Sequence, residues 1–247
     1  MSVTASTTEP VLAMRHVGRV YGSGATAVLA LDGVTLEVRP GELLAVMGPS
    51  GSGKSTLLTL AGGLDRASTG AVHVEGVELG GLSTGKLAAL RRRSIGYVFQ
   101  DFNLIAGLTA AENVALPREL DGVPTRQARR DALAVLTEVG IAELADRFPG
   151  ELSGAQQQRT AIARALVGQR RLVLADEPTG ALDSQTGEAV LEVLRARCDA
   201  GAAGVLVTHE PRHAGWADRV VFLRDGRIVD STGPCAQPES LLDGATS

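Results

Sequence analysis

An α/β fold built around a parallel sheet is predicted by three consecutive stretches of the chain. Leu43-Leu44-Ala45-Val46-Met47 is a short apolar run suited to a strand buried on both faces. Gly48-Pro49-Ser50-Gly51-Ser52-Gly53-Lys54-Ser55 fits the phosphate-binding loop pattern, and Thr56-Leu57-Leu58-Thr59-Leu60-Ala61 continues it as a helix. Strand, loop and helix in that order aim the positive end of the helix dipole at whatever the loop holds. The lysine is informative because the chain has only two, Lys54 and Lys86, and uses arginine elsewhere. A compact ammonium fits among phosphate oxygens as a point charge, whereas a planar guanidinium is too bulky for a cradle of backbone amides. Glycines let that backbone close around phosphate.

The flanking elements follow from periodicity. Val34, Leu36 and Val38 alternate with polar neighbours, as do Val72 and Val74, which predicts half-exposed strands on either side of the loop. Leu172-Val173-Leu174-Ala175 and Val205-Leu206-Val207 read as buried strands with polar residues at their carboxyl ends, where α/β sheets place ligands. Val220-Val221-Phe222-Leu223 and Arg227-Ile228-Val229 bracket Asp225-Gly226, a hairpin signal. From about 106 to 168 the texture changes to Ala, Leu, Arg and Glu at helical spacing, as at Ala132, Val135, Leu136 and Val139, predicting an inserted helical lobe. Residues 1–10 and 231–247 read as loose tails around one domain at 11–230, with no internal repeat.

Composition narrows the function classes. At 247 residues and 44% hydrophobic, the chain can bury a substantial core. Its 24 basic residues against 28 acidic ones give no bulk positive field for nucleic acid, and no basic run for anionic lipid. Cys198 and Cys235 have neither zinc-type nor Cys-x-x-Cys spacing and read as free thiols of a reducing compartment. The opening MSVTASTTEP has no signal-peptide pattern, and no apolar run approaches the ~18 residues needed to span a bilayer. A cytoplasmic location is expected, with any membrane role acting through a partner.

Two further motifs carry chemistry. Arg171-Leu172-Val173-Leu174-Ala175-Asp176-Glu177 is an apolar strand ending in adjacent carboxylates, the arrangement of a Walker B motif. Asp176, at the strand end, is assigned to the Mg²⁺ shell with the Ser55 hydroxyl, because a hard cation prefers oxygen donors. Glu177 is then free to polarise an attacking water. Leu152-Ser153-Gly154-Ala155-Gln156 starts another helix, since Ser153 with Gln156 three residues on makes a capping box. Its unpaired amides form a second anion site.

With these motifs in place the chain resembles an ABC-transporter ATPase subunit, over roughly residues 11–229. Gly48 to Ser55 matches Walker A, Gln100 the Q-loop, Leu152 to Gln156 the signature, and Leu174 to Glu177 Walker B. Ala181-Leu182-Asp183 matches the D-loop, His209 the switch histidine, and Tyr21 is similar to the aromatic that stacks on adenine. The resemblance implies a phosphate-loop fold with a RecA-like core, an antiparallel β subdomain and an inserted α-helical subdomain. It implies ATP and Mg²⁺, with the loop through Thr56 on the nucleotide, Glu177 as general base, His209 at the γ-phosphate and Gln100 serving catalysis and the metal. It also implies a homodimer, in which Ser153, Gly154, Ala155 and Gln156 of one copy face the ATP of the other and Asp183 communicates between the two sites.

The segment Ile95 to Leu104, continuing through Leu108-Thr109 and Glu112-Asn113-Val114, is similar to the macrolide-export and lipoprotein-release branch. That branch implies an integral membrane permease of the FtsX/MacB-like type, with apolar residues after Gln100, such as Phe102 and Leu104, as a docking groove. One departure is Ala155, where the usual signature LSGGQ has a second glycine. Alanine is harmless in a helical first turn and harmful if φ must be positive. Two other readings compete: a soluble ABC ATPase acting on ribosomes or DNA, and a small-molecule kinase. The first usually brings two nucleotide domains or a long coiled coil, and the second has no use for the signature or the switch histidine.

Overall fold

Residues 9–233 are described by the computed structural model. In chain order the first half runs β1 (Leu12–Tyr21), β2 (Val28–Val38), β3 (Leu43–Met47), α1 (Lys54–Ala61), β4 (Thr69–Val74), β5 (Val77–Glu78), α2 (Thr84–Ser94) and β6 (Ile95–Val98). The second half runs α3 (Ala110–Leu120), α4 (Thr125–Glu138), α5 (Gly154–Leu166), β7 (Leu172–Asp176), α6 (Ser184–Asp199), β8 (Ala203–Val207), α7 (Pro211–Ala214), β9 (Arg219–Arg224) and β10 (Arg227–Ser231). The predicted tails fall almost wholly outside the described residues, and so does Cys235. Cys198 is a buried free cysteine whose thiol is pushed up to about 12 by burial, so it is inert.

The strands form two sheets, one of order β2-β1-β4-β5 and one of order β10-β9-β3-β8-β7-β6. The smaller is antiparallel. In the larger, β3, β6, β7, β8 and β9 are parallel and β10 closes one edge as an antiparallel hairpin partner. Asp225 and Gly226, at φ 50° and 75°, make that hairpin, because two positive φ values match the twist of the flanking strands.

Side-chain alternation explains why the central strands read as unbroken apolar runs. Leu44 and Val46 of β3, with Leu172 and Leu174 of β7, face a core shared with α1 and the antiparallel sheet. Leu43, Ala45 and Met47, with Val173 and Ala175, face the opposite core, which they share with α3, α4, α5 and α6. Both faces of each strand are therefore covered, as parallel strands require. The predicted helical stretch is α3 to α5, joined through two single-turn 3₁₀ segments at Ala142–Leu144 and Pro149–Glu151.

The parallel topology sends β3, β6, β7 and β8 toward the same edge of the sheet, so the segments after their carboxyl ends converge. One contact sets how close α5 lies to β6: a Cβ built on Gly96 would sit 2.0 Å from the Ala165 carbonyl oxygen. Backbone thus packs on backbone there. Gly96→Ala is expected to lower the free energy of unfolding by about 1–3 kcal/mol, as overpacked sites do. Urea melts read this, and an unchanged midpoint would mean that α5 does not approach the sheet so closely.

Candidate nucleotide-binding site

Four strand ends build one cavity of about 470 Å³. β3 delivers the loop Gly48 to Gly53 and the start of α1. β7 delivers Asp176 and Glu177, β8 leads to His209, and the chain leaving β6 brings Gln100; all of these line the cavity. The remaining wall is Val28, Leu29 and Ala30 of β2. Val28 and Leu29 are 61% and 52% exposed, which leaves an apolar surface beside a polar floor.

The loop is seated by close backbone approach. Gly48 has φ 151° and a Cβ there would lie 2.1 Å from the Leu223 carbonyl oxygen. Gly53 has φ 104°, and its Cβ would lie 2.4 Å from the Ala30 carbonyl oxygen. Any side chain at either position would lift the loop from β9 or β2. The Gly226 N–H donates to the Ser52 carbonyl at 3.0 Å, so the hairpin turn supports the loop from below. Ser52 is the buried member of the loop. It is 4% exposed, its N–H is already donated to the Pro49 carbonyl, and it is absent from the cavity wall. Its side chain packs beneath Gly48 and helps to shape the loop.

The floor of the cavity is prepared for anionic oxygen. Gly53 begins α1 in the left-handed region with no side-chain cap, which leaves first-turn amides free to donate outward. The Lys54 ammonium donates to the carbonyls of Gly48 and Pro49 at 2.7 and 2.9 Å, which folds it back over the loop. Asp176 is 7% exposed, and its pKa is raised, chiefly by burial and secondarily by the Glu177 charge, with Ser55 and Lys54 opposing. A cation beside Ser55 would relieve that cost, and the donor set of Ser55, Asp176 and Gln100 consists of oxygen ligands suited to a hard divalent ion.

Glu177 is held in an unusual backbone conformation, φ 49°, which a non-glycine residue adopts at a cost of roughly 1–2 kcal/mol. Its N–H donates to the Val207 carbonyl at 3.0 Å, and its carboxylate meets His209 Nδ1 at 2.6 and 2.8 Å. That hydrogen bond, followed by the negative charge itself, raises the His209 pKa above the ordinary imidazole value.

The remaining predicted residues lie elsewhere. Ser153, Gly154, Ala155, Gln156 and Asp183 do not line this cavity. Ser153 accepts from the Gln156 N–H at 3.3 Å while the Gln156 side chain accepts from the Ser153 N–H at 2.9 Å, completing the capping box. Ala155 is the second residue of α5 and has no positive φ, so the substitution for glycine sits in a helical turn. Asp183 caps α6 by accepting from the Thr186 N–H at 3.0 Å. Tyr21 pairs with Val28 across β1 and β2 but is not part of the wall, and the Arg19 guanidinium covers its ring at 4.4 Å from the centroid.

Sequence reasoning passed over Val28, Leu29 and Ala30, because three exposed or half-exposed residues at a strand start carry no pattern. It also passed over Gln158, which is 1% exposed and donates from Nε2 to the Pro178 carbonyl at 2.8 Å, tying α5 to the chain beyond Glu177. A signal existed: Gln158 falls at helical spacing with Ile162 and Ala165, so a polar residue occupies a core position.

A phosphate loop at the head of a parallel sheet, facing paired carboxylates two strands away, defines a nucleotide-binding cassette. The model of the ABC transporter family matches residues 31–180, and the chain belongs to that family. It is 44% identical over 226 residues to the macrolide export ATP-binding/permease protein MacB of Hyphomonas neptunium, covering 92% of this chain and 35% of that protein. It is 46% identical over 237 residues to MacB 1/2 of Paracoccus denitrificans, covering 95% and 36%. The chain thus spans about a third of the length of these curated relatives. Among solved structures it is similar to the dimeric post-hydrolysis state of the ATP-binding cassette MJ0796 bound to ADP and Pi. That likeness has a TM-score of 0.87 and 38% identity, covering 92% of this chain and 100% of that one. The sheet architecture and the cassette fold expected from sequence are both borne out.

The Glu177–His209 contact has a titration consequence. The imidazole pKa is raised in the folded chain, so the charged pair is complete at pH below the ordinary imidazole value and is lost as pH rises through the raised one. In an NMR titration, Glu177→Gln is expected to move the His209 midpoint down. Identical midpoints in the two proteins would show that the contact does not form in solution.

Proposed function

We propose that this chain is the ATP-hydrolysing subunit of a membrane transport complex, working as an ATP-dependent homodimer on the cytoplasmic face of the membrane. The single observation that carries the reading is the cavity where Lys54, Ser55, Gln100, Asp176, Glu177 and His209 converge. Among the described residues no helix is long and apolar enough to cross a membrane. The partner proposed for this subunit is an integral membrane permease. The similarity to proteins named as macrolide export ATP-binding/permease proteins supports a permease of that type, and export or transmission of force across the membrane as the work done. The dimeric cassettes to which the chain is similar support self-association.

The chemistry follows from the side chains. The loop amides, the start of α1 and Lys54 bind the phosphates, with the ammonium turning from its own carbonyls toward the β- and γ-oxygens. Ser55, Asp176 and the side-chain oxygen of Gln100 would hold Mg²⁺, which when bound neutralises charge on the phosphate oxygens. The Glu177 carboxylate accepts a proton from water as the water oxygen bonds to the γ-phosphorus and the bond to the ADP oxygen breaks. ADP and inorganic phosphate are the products. His209, fixed by Glu177 through Nδ1, presents Nε2 to the γ-phosphate and orients the carboxylate. Val28 and Leu29 offer the apolar wall nearest to the loop, so the base of the nucleotide lies against β2, with Tyr21 at its outer rim.

The second face is α5. Ser153 and Gly154 of one copy meet the ATP of the other, so γ-phosphate holds two chains together and its hydrolysis releases them. Asp183 lies at the joint between the two sites.

Glu177→Gln is expected to keep ATP binding while lowering turnover by roughly 10²–10⁴ and trapping an ATP-bound dimer. Steady-state hydrolysis and sedimentation in MgATP read both, and undiminished hydrolysis would remove Glu177 from its role. Ala155→Gly is expected to leave turnover unchanged and to cost about 1 kcal/mol of stability, since glycine is a poorer helix residue. A many-fold gain in turnover would mean that the signature needs glycine for contact with phosphate.

A further inference from the structure

Two of the four histidines of the chain, His209 and His213, stand four residues apart, and both turn Nδ1 toward the segment that leaves β7. His209 meets the Glu177 carboxylate at 2.6 Å, and His213 of α7 meets the Thr179 hydroxyl at 3.0 Å. The reaction as written uses only the first of these contacts. Thr179 is 9% exposed, and among the described residues its hydroxyl has no other partner, so removing the imidazole would leave a buried oxygen unpaired. The methyl group of Thr179 lies against α6, its Cγ2 3.5 Å from where a Cβ on Gly187 would be. On its other nitrogen, His213 has Nε2 at 3.4 Å from the Glu210 carboxylate.

The backbone between these contacts explains why a second one matters. Glu177, two residues before Thr179, sits at φ 49°, and a strained conformation persists only where its surroundings hold it from both sides. On the near side, β7 ends at Asp176 and the Glu177 N–H is donated to the Val207 carbonyl. On the far side, Gln158 donates to the Pro178 carbonyl and His213 holds the Thr179 hydroxyl. Gln158 belongs to α5, whereas His213 belongs to the segment that carries His209. That segment is itself closed into a turn, since the His213 N–H donates to the Glu210 carbonyl at 3.1 Å. One contact between two segments lets them pivot, and a second fixes their angle. The His209 side chain is 66% exposed and that of His213 only 15%, so the sheltered pair stands behind the open one.

We propose that His213 is a positioning residue for hydrolysis, holding Thr179 so that the Glu177 carboxylate and the His209 ring keep a fixed angle to each other. The proposal rests on the ATPase reading above. Neither His213 nor Thr179 lines the nucleotide cavity, so the imidazole acts through Thr179, and its loss falls on kcat and not on affinity for ATP.

The test compares wild type with His213→Leu, which fills the space without a nitrogen, and Thr179→Val, which keeps the shape without a hydroxyl, and with the two combined. His213→Asn, whose amide reaches the place of Nδ1, and Thr179→Ser serve as rescues. Steady-state kinetics give kcat and KM for ATP, and an NMR titration gives the His209 midpoint. Each of His213→Leu and Thr179→Val is expected to lower kcat roughly tenfold with KM within about twofold, and the double variant to fall no further, as residues acting through one bond do. His213→Asn and Thr179→Ser are expected to recover most of the turnover. Because the Glu177 carboxylate raises the His209 pKa, a loosened pair moves the His209 midpoint down in His213→Leu and Thr179→Val, and His213→Asn brings it back. A midpoint that stays put in both variants would overturn the proposal, even with a fall in melting temperature, since that is the mark of a merely structural residue. Losses of turnover that multiply in the double variant would overturn it as well. If His213→Leu does not fold, Thr179→Val decides by the same readouts. A wild type that hydrolyses no ATP would refute the ATPase reading by itself, and the His209 midpoints would still decide whether His213 positions the pair.

Discussion

Everything at this site depends on backbone meeting backbone without a side chain between. The phosphate loop rests on β9 at Gly48 and on β2 at Gly53, and the distances a Cβ would make there, 2.1 and 2.4 Å, leave no room for alanine. Because the loop cannot rise, the first turn of α1 points into the cavity and Lys54 stands beside its own loop carbonyls. The antiparallel sheet and the C-terminal hairpin thereby acquire a purpose beyond covering the core. β2 supplies both a support and a wall, and the Gly226 N–H is donated to the loop at Ser52.

A second constraint works on the carboxylates. Asp176 is still in the strand and buried, whereas Glu177 leaves it with a left-handed backbone that swings its side chain toward His209. Adjacent acids thus acquire different surroundings from one backbone reversal. Burial disfavours charge on Asp176 and makes it receptive to a cation; the partly exposed Glu177 has a histidine to fix its orientation. Two identical turns of a regular strand would instead have sent the side chains to opposite faces of the sheet.

Much of this was legible in the sequence, and for identifiable reasons. Short apolar runs ending in polar residues gave β3, β7 and β8, and Asp-Gly gave the hairpin, because in each case local chemistry and tertiary role agree. β1 was not legible. It carries a register shift between Met14 and Val17, with His16 at φ 49°, and Leu12, Ala13, Met14 and Val17 are all buried, so no alternation runs through it. The buried side chain of Ser52 was not legible, because a motif says which residues belong to a loop but not which side of it each side chain faces. Arg164 and Gln158 were invisible as ties, since their partners are backbone carbonyls far along the chain, at Phe102, Asn103 and Pro178, and carbonyls leave no mark in a sequence.

The attachments of α5 differ along its length in a way that bears on how a rigid cassette responds to what it holds. Near its end, Gly96 of β6 packs against the Ala165 carbonyl, a contact of backbone atoms that has almost no compliance. Two turns earlier Gln158 bonds to the Pro178 carbonyl, and at its start the helix satisfies itself through the Ser153–Gln156 box, with Ser153 and Gly154 exposed. Stiffness therefore falls from the last turn to the first. Ala155 lies in this first turn, where the backbone is helical and no positive φ calls for glycine.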